Sequence, residues 1–419
     1  MERNAYICID LKSFFASVEC VDRGLDPFKA NLAVCDASRG SGAITLAISP
    51  AMKALGVKNR CRVFEIPPHI EYIAAKPRMK RYMEVSAQIY GIYLRYIGAD
   101  DIHVYSIDEC FIDVAPYLHT YGKTPKEIAE MLMAAVMEET GICATAGVGS
   151  NMLLAKVALD ITAKHSPDNI GVLDIDEFHR SIWYHRPITD IWQIGKGIAK
   201  RLERYGVRDL HGITLLDEKL LYREFGKNAK YLIDHAHGIE PCTIKDIQSY
   251  VPKNESLSHG QILFEDYNFE DALLIVKEMV DILALELVQK KLVGSTISLS
   301  VHYSKEIAPP SGGMRKIGEY TNSYKKLSAL FEKLYRQTTL RNMPIRKINV
   351  CISDVQDDSY TTVNLFIPEK EISKERALQE TVIALKDKYG KNSVLKGMNF
   401  KKKSTAIARN KTVGGHNGE

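Results

Sequence analysis

The chain has 419 residues, with 56 Lys and Arg against 52 Asp and Glu, a formal net charge of +4, and 45% hydrophobic and 26% charged residues. This is the make-up of an ordinary globular protein, and at roughly 150 residues per domain it predicts about three folding units. There is no apolar run of about 18 residues and no basic-then-apolar leader at the start, so a membrane span and a secretory signal are not expected and a cytoplasmic location is.

Residues 6–10 read as a short buried strand that runs into a helix beginning at Phe14 and including Glu19. Strands follow at 32–35 and 43–48 around a Gly-Ser-Gly turn at 40–42, then a short helix after Pro50 that stops at Gly56, and Pro67-Pro68 mark a boundary. A helix over about 77–96 precedes 103–114, which reads as two strands meeting at a tight turn. A helix near 125–140, a strand at 144–149 and a helix over 151–165 complete a β-α-β-β-α-β pattern with an insertion, the split βαβ arrangement of ferredoxin-like sheets. Residues 171–240 look entirely helical, and 241–256, with Pro241 and Pro252, read as a linker. Beyond it, strands at 295–303 and 347–353 alternate with helices at 271–290 and 324–336 in a second α+β unit. A further helix is expected at 373–390, and the final residues, from Arg409 on, look poorly ordered. The eight cysteines are scattered without a CxxC pair, which argues against a zinc ribbon and suits reduced, mostly buried thiols.

The charge is unevenly spread. Residues 240–289 carry three Lys against ten Asp and Glu, a local net of −7, whereas 290–350 carry twelve Lys and Arg against three Glu, a local net of +9. The tail 367–419 adds twelve basic to six acidic residues, a net of +6. A basic block of this kind is either a well-solvated Lys-rich surface or the footprint of a polyanion.

Asp10 ends the first strand, and Asp108-Glu109 lie where two strands meet. Neighbouring side chains on a regular strand point to opposite faces, so Asp108 and Glu109 can converge only at a bend, which the hairpin supplies. In a split βαβ sheet this hairpin neighbours the first strand, so three carboxylates can share one surface. Such a cluster calls for cations, and carboxylate oxygens suit Mg²⁺, whose paired form would clamp a phosphoryl group in an in-line displacement. Taken alone, Asp10 could equally be a structural cap.

Ile9-Asp-Leu-Lys-Ser-Phe-Phe-Ala-Ser-Val-Glu19 and Tyr105-Ser-Ile-Asp-Glu-Cys-Phe-Ile-Asp113 resemble the two signature motifs of the Y-family, translesion DNA polymerases. Gly147-Val-Gly-Ser-Asn-Met-Leu-Leu-Ala-Lys-Val-Ala158 is similar to the family's third palm motif, so the likeness spans about residues 3–366. Asp10, Leu11, Phe15 and Phe64 point to the bacterial branch of UmuC-like and DNA polymerase IV-like proteins, especially its Gram-positive forms. The resemblance implies an α+β right hand. Its ferredoxin-like palm would occupy 1–27 and 78–170, small fingers 28–77, and a helical thumb 171–240. The linker at 241–256 would lead to a C-terminal little finger at 257–366 and a basic tail at 367–419.

It also implies site roles. Asp10, Asp108 and Glu109, with the Leu11 carbonyl, would hold two Mg²⁺ ions, for which Mn²⁺ could substitute. Phe15 would be the steric gate that excludes a ribose 2′-hydroxyl; read alone, it could be a core aromatic. Lys164 would touch the triphosphate, or else merely pair with Asp160 four residues earlier. Lys53 would replace the family's fingers Arg with a point charge, and Lys12, an unusual residue at its position, would point away from the metals. Residues 191–206 resemble a helix-hairpin-helix, with Gly195 and Gly197 allowing a tight turn and Lys196 and Lys200 beside a bound DNA phosphate. Lys347 would contact the DNA backbone from the little finger. Val363-Asn-Leu-Phe366 resembles the tail of a sliding-clamp peptide through Leu365 and Phe366, without the usual leading Gln; the alternative is a last strand. The implied partners are primer-template DNA, dNTPs, a sliding clamp and accessory SOS proteins, with the chain a monomer on DNA and no membrane. Competing readings are a nucleotidyl cyclase on the same palm and a non-catalytic, regulatory homologue.

Overall fold

Both faces of the first strand, β1 (Tyr6–Leu11), are covered, which is why its sequence is apolar almost throughout. The structure is a computed structural model that describes residues 4–252, 255–360 and 369–418, and the chain divides into two units, one of residues 1–250 with the last three residues and one of 251–416. All eight cysteines are unpaired and five are buried, in keeping with reduced thiols. No helix among the described residues is long and apolar enough to cross a membrane.

In the first unit, β1 turns through Ser13, at φ 52°, into α1 (Phe14–Val21). A three-stranded sheet follows, made of β2 (Leu32–Val34), β3 (Ala47–Ile48) and β4 (Ile73–Ala75), with α2 (Pro50–Ala54) capped by Ser49. The strand expected at 43–48 is confined to its last two residues, apart from a single bridge between Ile44 and Arg62. Next come α3 (Met79–Tyr93), β5 (Ile102–Val104), β6 (Glu109–Asp113), the one-turn α4 (Leu118–Tyr121), α5 (Pro125–Thr140), β7 (Ala144–Gly149), α6 (Met152–Val157) and β8 (Ile170–Leu173). The main sheet has the order β5-β6-β1-β7-β8. Its first four strands are antiparallel to their neighbours and β8 runs parallel to β7. The expected split βαβ pattern is therefore present, and β8 adds a strand where the sequence suggested only helix.

Ile7, Ile9 and Ile112 meet α3 and α5 on one face of this sheet, while Tyr6, Cys8 and Phe111 meet α6 on the other. The approach of α6 depends on glycine: a Cβ on Gly147 would lie 2.0 Å from the Ala155 carbonyl oxygen. The helix expected over 151–165 is regular only to Val157, then widens into a π turn at Ala158–Thr162 and tightens at Ala163–His165.

The helices α7 (Ile175–Glu177), α8 (Lys196–Glu203), α9 (Leu210–Thr214), α10 (Glu218–Phe225) and α11 (Ala229–Ala236) enclose a core that includes Phe178, Ile191, Leu202 and Leu221. The segment read as a linker contains α12 (Ile244–Ser249), closed by a Thr243–Asp246 capping box. Ile244 is buried against Tyr6, Cys8 and Phe111, so this stretch is partly core.

The second unit is built from β9 (Ser256–Tyr267), α13 (Phe269–Gln289), β10 (Leu292–Tyr303), β11 (Ser311–Thr321), α14 (Tyr324–Thr338) and β12 (Ile345–Asp357), with sheet order β11-β10-β12-β9. Ile297, Leu299, Val301, Ile348, Val350 and Ile352 pack under α13 and α14. The opposite face carries Thr296, Ser298, Ser300 and His302 from β10, in register with Lys316, Lys347 and Asn349.

The tail is ordered rather than loose. It forms α15 (Glu369–Tyr389) and α16 (Ala406–Arg409), and the two-residue strands β13 (Thr412–Val413) and β14 (His416–Asn417) pair. Its anchor is Glu278 of α13, 1% exposed. That carboxylate accepts bonds from Asn399 Nδ2 at 3.0 Å, the Thr405 amide at 3.1 Å and Ser404 Oγ.

Candidate active site

Pairing of β1 with β6 sets Asp10 directly opposite Glu109. The amides of Tyr105 and Ser106 both donate to the Glu109 carbonyl at 3.0 Å, closing a tight turn, and the Leu11 amide donates to the Asp108 carbonyl at 2.9 Å. This turn is the bend that the adjacent Asp108-Glu109 pair requires. Ser106 Oγ donates to Asp108 Oδ1 at 2.7 Å and steadies it. Burial, followed by the charges of Asp108 and Glu109 and opposed by Lys156, pushes the Asp10 carboxyl up to about 7. Asp108 and Glu109 thus both act on the Asp10 carboxyl.

Glu109 is held by a residue the sequence reading left out. Lys156 Nζ lies 2.9 Å from Glu109 Oε1 and 2.8 Å from Asp160 Oδ1, and Cys8 Sγ donates to Glu109 Oε1 at 3.2 Å. Burial works against the Lys156 ammonium, but Asp160 and Glu109 outweigh it and hold its pKa above the ordinary lysine value. The signal was available: a lone Lys within the apolar Met-Leu-Leu-Ala-Lys-Val. Asp160 therefore pairs with Lys156 and not with Lys164, which is exposed and has no ion-pair partner among the described residues.

Among the described residues, no three His, Cys, Asp or Glu side chains are gathered tightly enough to hold a metal ion as they stand. The donor set still fits a hard divalent cation. It offers oxygen donors, and burial, followed by the charges of Asp108 and Glu109, raises the Asp10 pKa.

Phe15 packs face to face on Tyr82, with ring centroids 4.4 Å apart and planes 14° from parallel. The Tyr82 hydroxyl donates to Glu19 Oε1 at 2.7 Å, which also accepts from Arg78 Nε at 2.9 Å, and Glu19 and Tyr82 are fully buried. Glu19, a charge inside an apolar helix, was the unread sign of this network. Lys53 of α2 is close to Asp10, Lys12 and Lys164; burial first, then the two lysines, lower its pKa against the pull of Asp10. Lys12 was expected to point away from the chemistry. Its ammonium bonds to Asn169 Oδ1 and lies within electrostatic reach of Lys53.

In the expected helix-hairpin-helix, Gly195 caps α8 in an extended conformation, and the left-handed residue is Gln193, at φ 66°. The glycines are not needed for the turn's conformation. They leave open space instead, since a Cβ on Gly195 or Gly197 would meet nothing within 4 Å. Lys196 and Lys200 are exposed beside it. In the second unit, Lys347 stands on the sheet face away from the helices, paired in register with His302. Leu365 and Phe366 lie outside the described residues.

A split βαβ sheet with carboxylates on β1 and at the turn before β6, joined to a helical hairpin and followed by a second α+β unit, defines the right-hand α+β class of nucleotidyl-transferring proteins. The chain matches the impB/mucB/samB family over residues 9–160 and that family's C-terminal domain over 254–365. It is 31% identical to the putative UV-damage repair protein UvrX of Bacillus subtilis (strain 168), over 99% of this chain and 98% of that one. It is 30% identical to DNA polymerase IV 2 of Halalkalibacterium halodurans, over 97% and 98% of the two chains. A solved Y-family DNA polymerase chimera shares the fold, with a TM-score of 0.64 and 23% identity over 84% of this chain and 99% of that one. The chain belongs to the impB/mucB/samB family of Y-family, UmuC-like polymerases.

Proposed function

We propose that this protein is a DNA-directed DNA polymerase of the translesion type, adding dNTPs to a primer 3′-hydroxyl opposite damaged template without proofreading, in the cytoplasm and as part of the DNA-damage response. The observation that carries the reading is the convergence of Asp10, Asp108 and Glu109 where β1, β6 and the 105–109 turn meet. In this reading the palm is 1–27 with 78–170, the fingers 28–77, the thumb 171–240 and the little finger 257–366. Asp10, Asp108, Glu109 and the Leu11 carbonyl would hold two Mg²⁺ ions, which when bound supply the charge that activates the primer hydroxyl and neutralises the leaving phosphates.

The chain's own residues do the rest. Phe15 lines the sugar position and excludes a 2′-hydroxyl by filling its space, with Tyr82 behind it as a firm support. Lys53 and Lys164 provide positive charge for the triphosphate; the neighbourhood of like charges around Lys53, with no acid bonded to it among the described residues, favours an anion there. Gly195, Lys196, Gly197 and Lys200 grip a backbone phosphate without reading sequence, and Lys347 adds a second cationic contact. Contact with a sliding clamp through Leu365 and Phe366 completes the reading.

Primer extension with purified protein, Mg²⁺ and dNTPs on undamaged and lesion-bearing templates is the test. Template-directed extension that disappears in Asp108→Ala supports the assignment; extension retained by that variant rejects it.

A further inference from the structure

Trp192 comes just before the proposed phosphate-gripping hairpin, yet its side chain does not follow the hairpin outward. The indole Nε1–H donates to the Tyr105 hydroxyl at 3.0 Å. The same ring lies 5.6 Å from Phe111 and 6.0 Å from Tyr105, edge-on to the latter. On its other side it stacks on His235 of α11, with centroids 5.9 Å apart and planes at 12°, and His235 is buried and bonded to Glu240 at 2.9 Å. One indole therefore joins the helical region that carries the hairpin to the turn bearing Asp108 and to β6.

Its partner is placed to pass on a displacement. Tyr105 opens the turn in which its own amide and that of Ser106 hold the Glu109 carbonyl, and in which Ser106 Oγ holds Asp108. Tyr105 is 46% exposed, so packing alone does not lock its ring. The bond from Trp192 is the only side-chain hydrogen bond to its hydroxyl among the described residues. A hairpin drawn toward a phosphate would pull on Trp192 by way of Gln193 and Ile194, and the 3.0 Å bond would carry that pull to Tyr105.

We infer that Trp192 and Tyr105 form a strut through which a DNA phosphate seated on the Gly195–Lys196 hairpin fixes the position of the turn bearing Asp108 and Glu109. Both are positioning residues, since neither touches the reacting atoms. The inference rests on the polymerase reading and adds to it a link between grip and chemistry: the carboxylates are best placed only when the duplex is held.

The test uses the full-length protein with Mg²⁺ and an undamaged primer-template, measuring single-turnover incorporation, nucleotide affinity, DNA affinity by anisotropy and thermal melting. Tyr105→Phe and Trp192→Phe should each slow the maximal incorporation rate about fivefold, the weight of one neutral hydrogen bond, with both affinities within about twofold of the parent. The double variant should be no slower than the slower single one, because the two changes break one link. The decisive arm is Lys196→Ala at saturating DNA: it should slow incorporation in the parent, but in Tyr105→Phe it should weaken DNA binding without slowing the bound complex further. If Trp192→Phe melts early, Tyr105→Phe, which keeps its ring, carries the comparison. Multiplicative losses in the double variant, or parental rates in both single variants, overturn the strut. Absence of extension by the unaltered protein rejects the polymerase reading, and unchanged DNA affinity in Lys196→Ala rejects the hairpin as the grip, and the strut falls with either.

Discussion

Replacing Lys156 by Met removes the one cation in contact with both Glu109 and Asp160 among the described residues. The chain length and apolar stem are largely kept, so the change tests charge more than packing. The Lys156 and Glu109 side chains are 10% and 11% exposed, so their pair is little screened, whereas Asp160, at 34%, retains part of its hydration. Breaking a buried pair by deleting one member costs about 3–5 kcal/mol. Since Asp160 can turn to water, we expect a loss of about 3 kcal/mol near pH 8 in EDTA. For a unit of about 250 residues this corresponds to a fall in melting temperature of roughly 6–12 °C. The variant site is also more negative by one charge, so a divalent cation should bind it more tightly and, by binding only the folded form, restore stability. Melting curves with and without Mg²⁺ should then show greater metal stabilisation for the variant than for the parent, and Lys156→Arg should fall between them. Equal melting in EDTA, or equal stabilisation of both proteins by Mg²⁺, would refute the view of Lys156 as a built-in counter-charge.

Phe15→Ala should raise ribonucleotide incorporation relative to deoxynucleotide by at least about tenfold, read from the ratio of kcat/KM values; an unchanged ratio would remove Phe15 from the sugar site. Glu278→Ala deletes the acceptor of four bonds from 399–405 and should cost roughly 2–4 kcal/mol, opening Lys401 to Lys403 to trypsin in limited proteolysis. Protection equal to the parent's would mean the tail is held by other contacts. Glu19 gives a pH dependence: burial alone would raise its pKa, but hydrogen bonds from Arg78, Tyr82 and Arg23 bring it below the ordinary 4.5. A depressed carboxylate adds stability that is complete above its unfolded value and is lost as pH falls through its folded one. Urea midpoints of the parent should therefore decline below pH 4.5 more steeply than those of Glu19→Gln, and parallel curves would contradict this.

The elements that the sequence made legible are those whose signal is local. The apolar run of β1 followed by the Phe14-Phe15 helix, and the adjacent acids at 108–109 between two short strands, announce both the palm-type sheet and the bend in it. In the second unit, two strands were not legible for the opposite reason. Along β9 most side chains are exposed or only partly covered, and β11 is interrupted by glycines, so neither shows an apolar alternation. The Lys156 contact was hidden because it depends on distant chain segments meeting. The space left by Gly147 and Gly149 lets α6 descend onto the sheet, where its lysine reaches Glu109. The ordered tail was hidden in the same way, since the polar run 399–405 acquires meaning only against Glu278.

The two blocks of opposite charge also change meaning once folded. Glu270 bonds Arg336, Asp266 bonds Arg346 and Glu286 bonds Lys290, so each pair joins an acid from the −7 stretch to a base from the +9 stretch. Three of the twelve basic residues are therefore neutralised by the neighbouring acidic block, between α13 and α14, between β9 and β12, and at the end of α13, and at the surface such pairs contribute little net field. Lys316 and Lys347 are different: they stand on the sheet face away from the helices and have no ion-pair partner among the described residues. Ser, Thr, His and Asn with these two lysines would offer a phosphate backbone donors and charge, in keeping with the DNA contact proposed for Lys347. Exposed Ile262 and Met314 stand beside them on the same face, in register with Lys347 and Ser298. The summed charge of the block overstates this capacity, and the side of the sheet on which each lysine stands is what decides it.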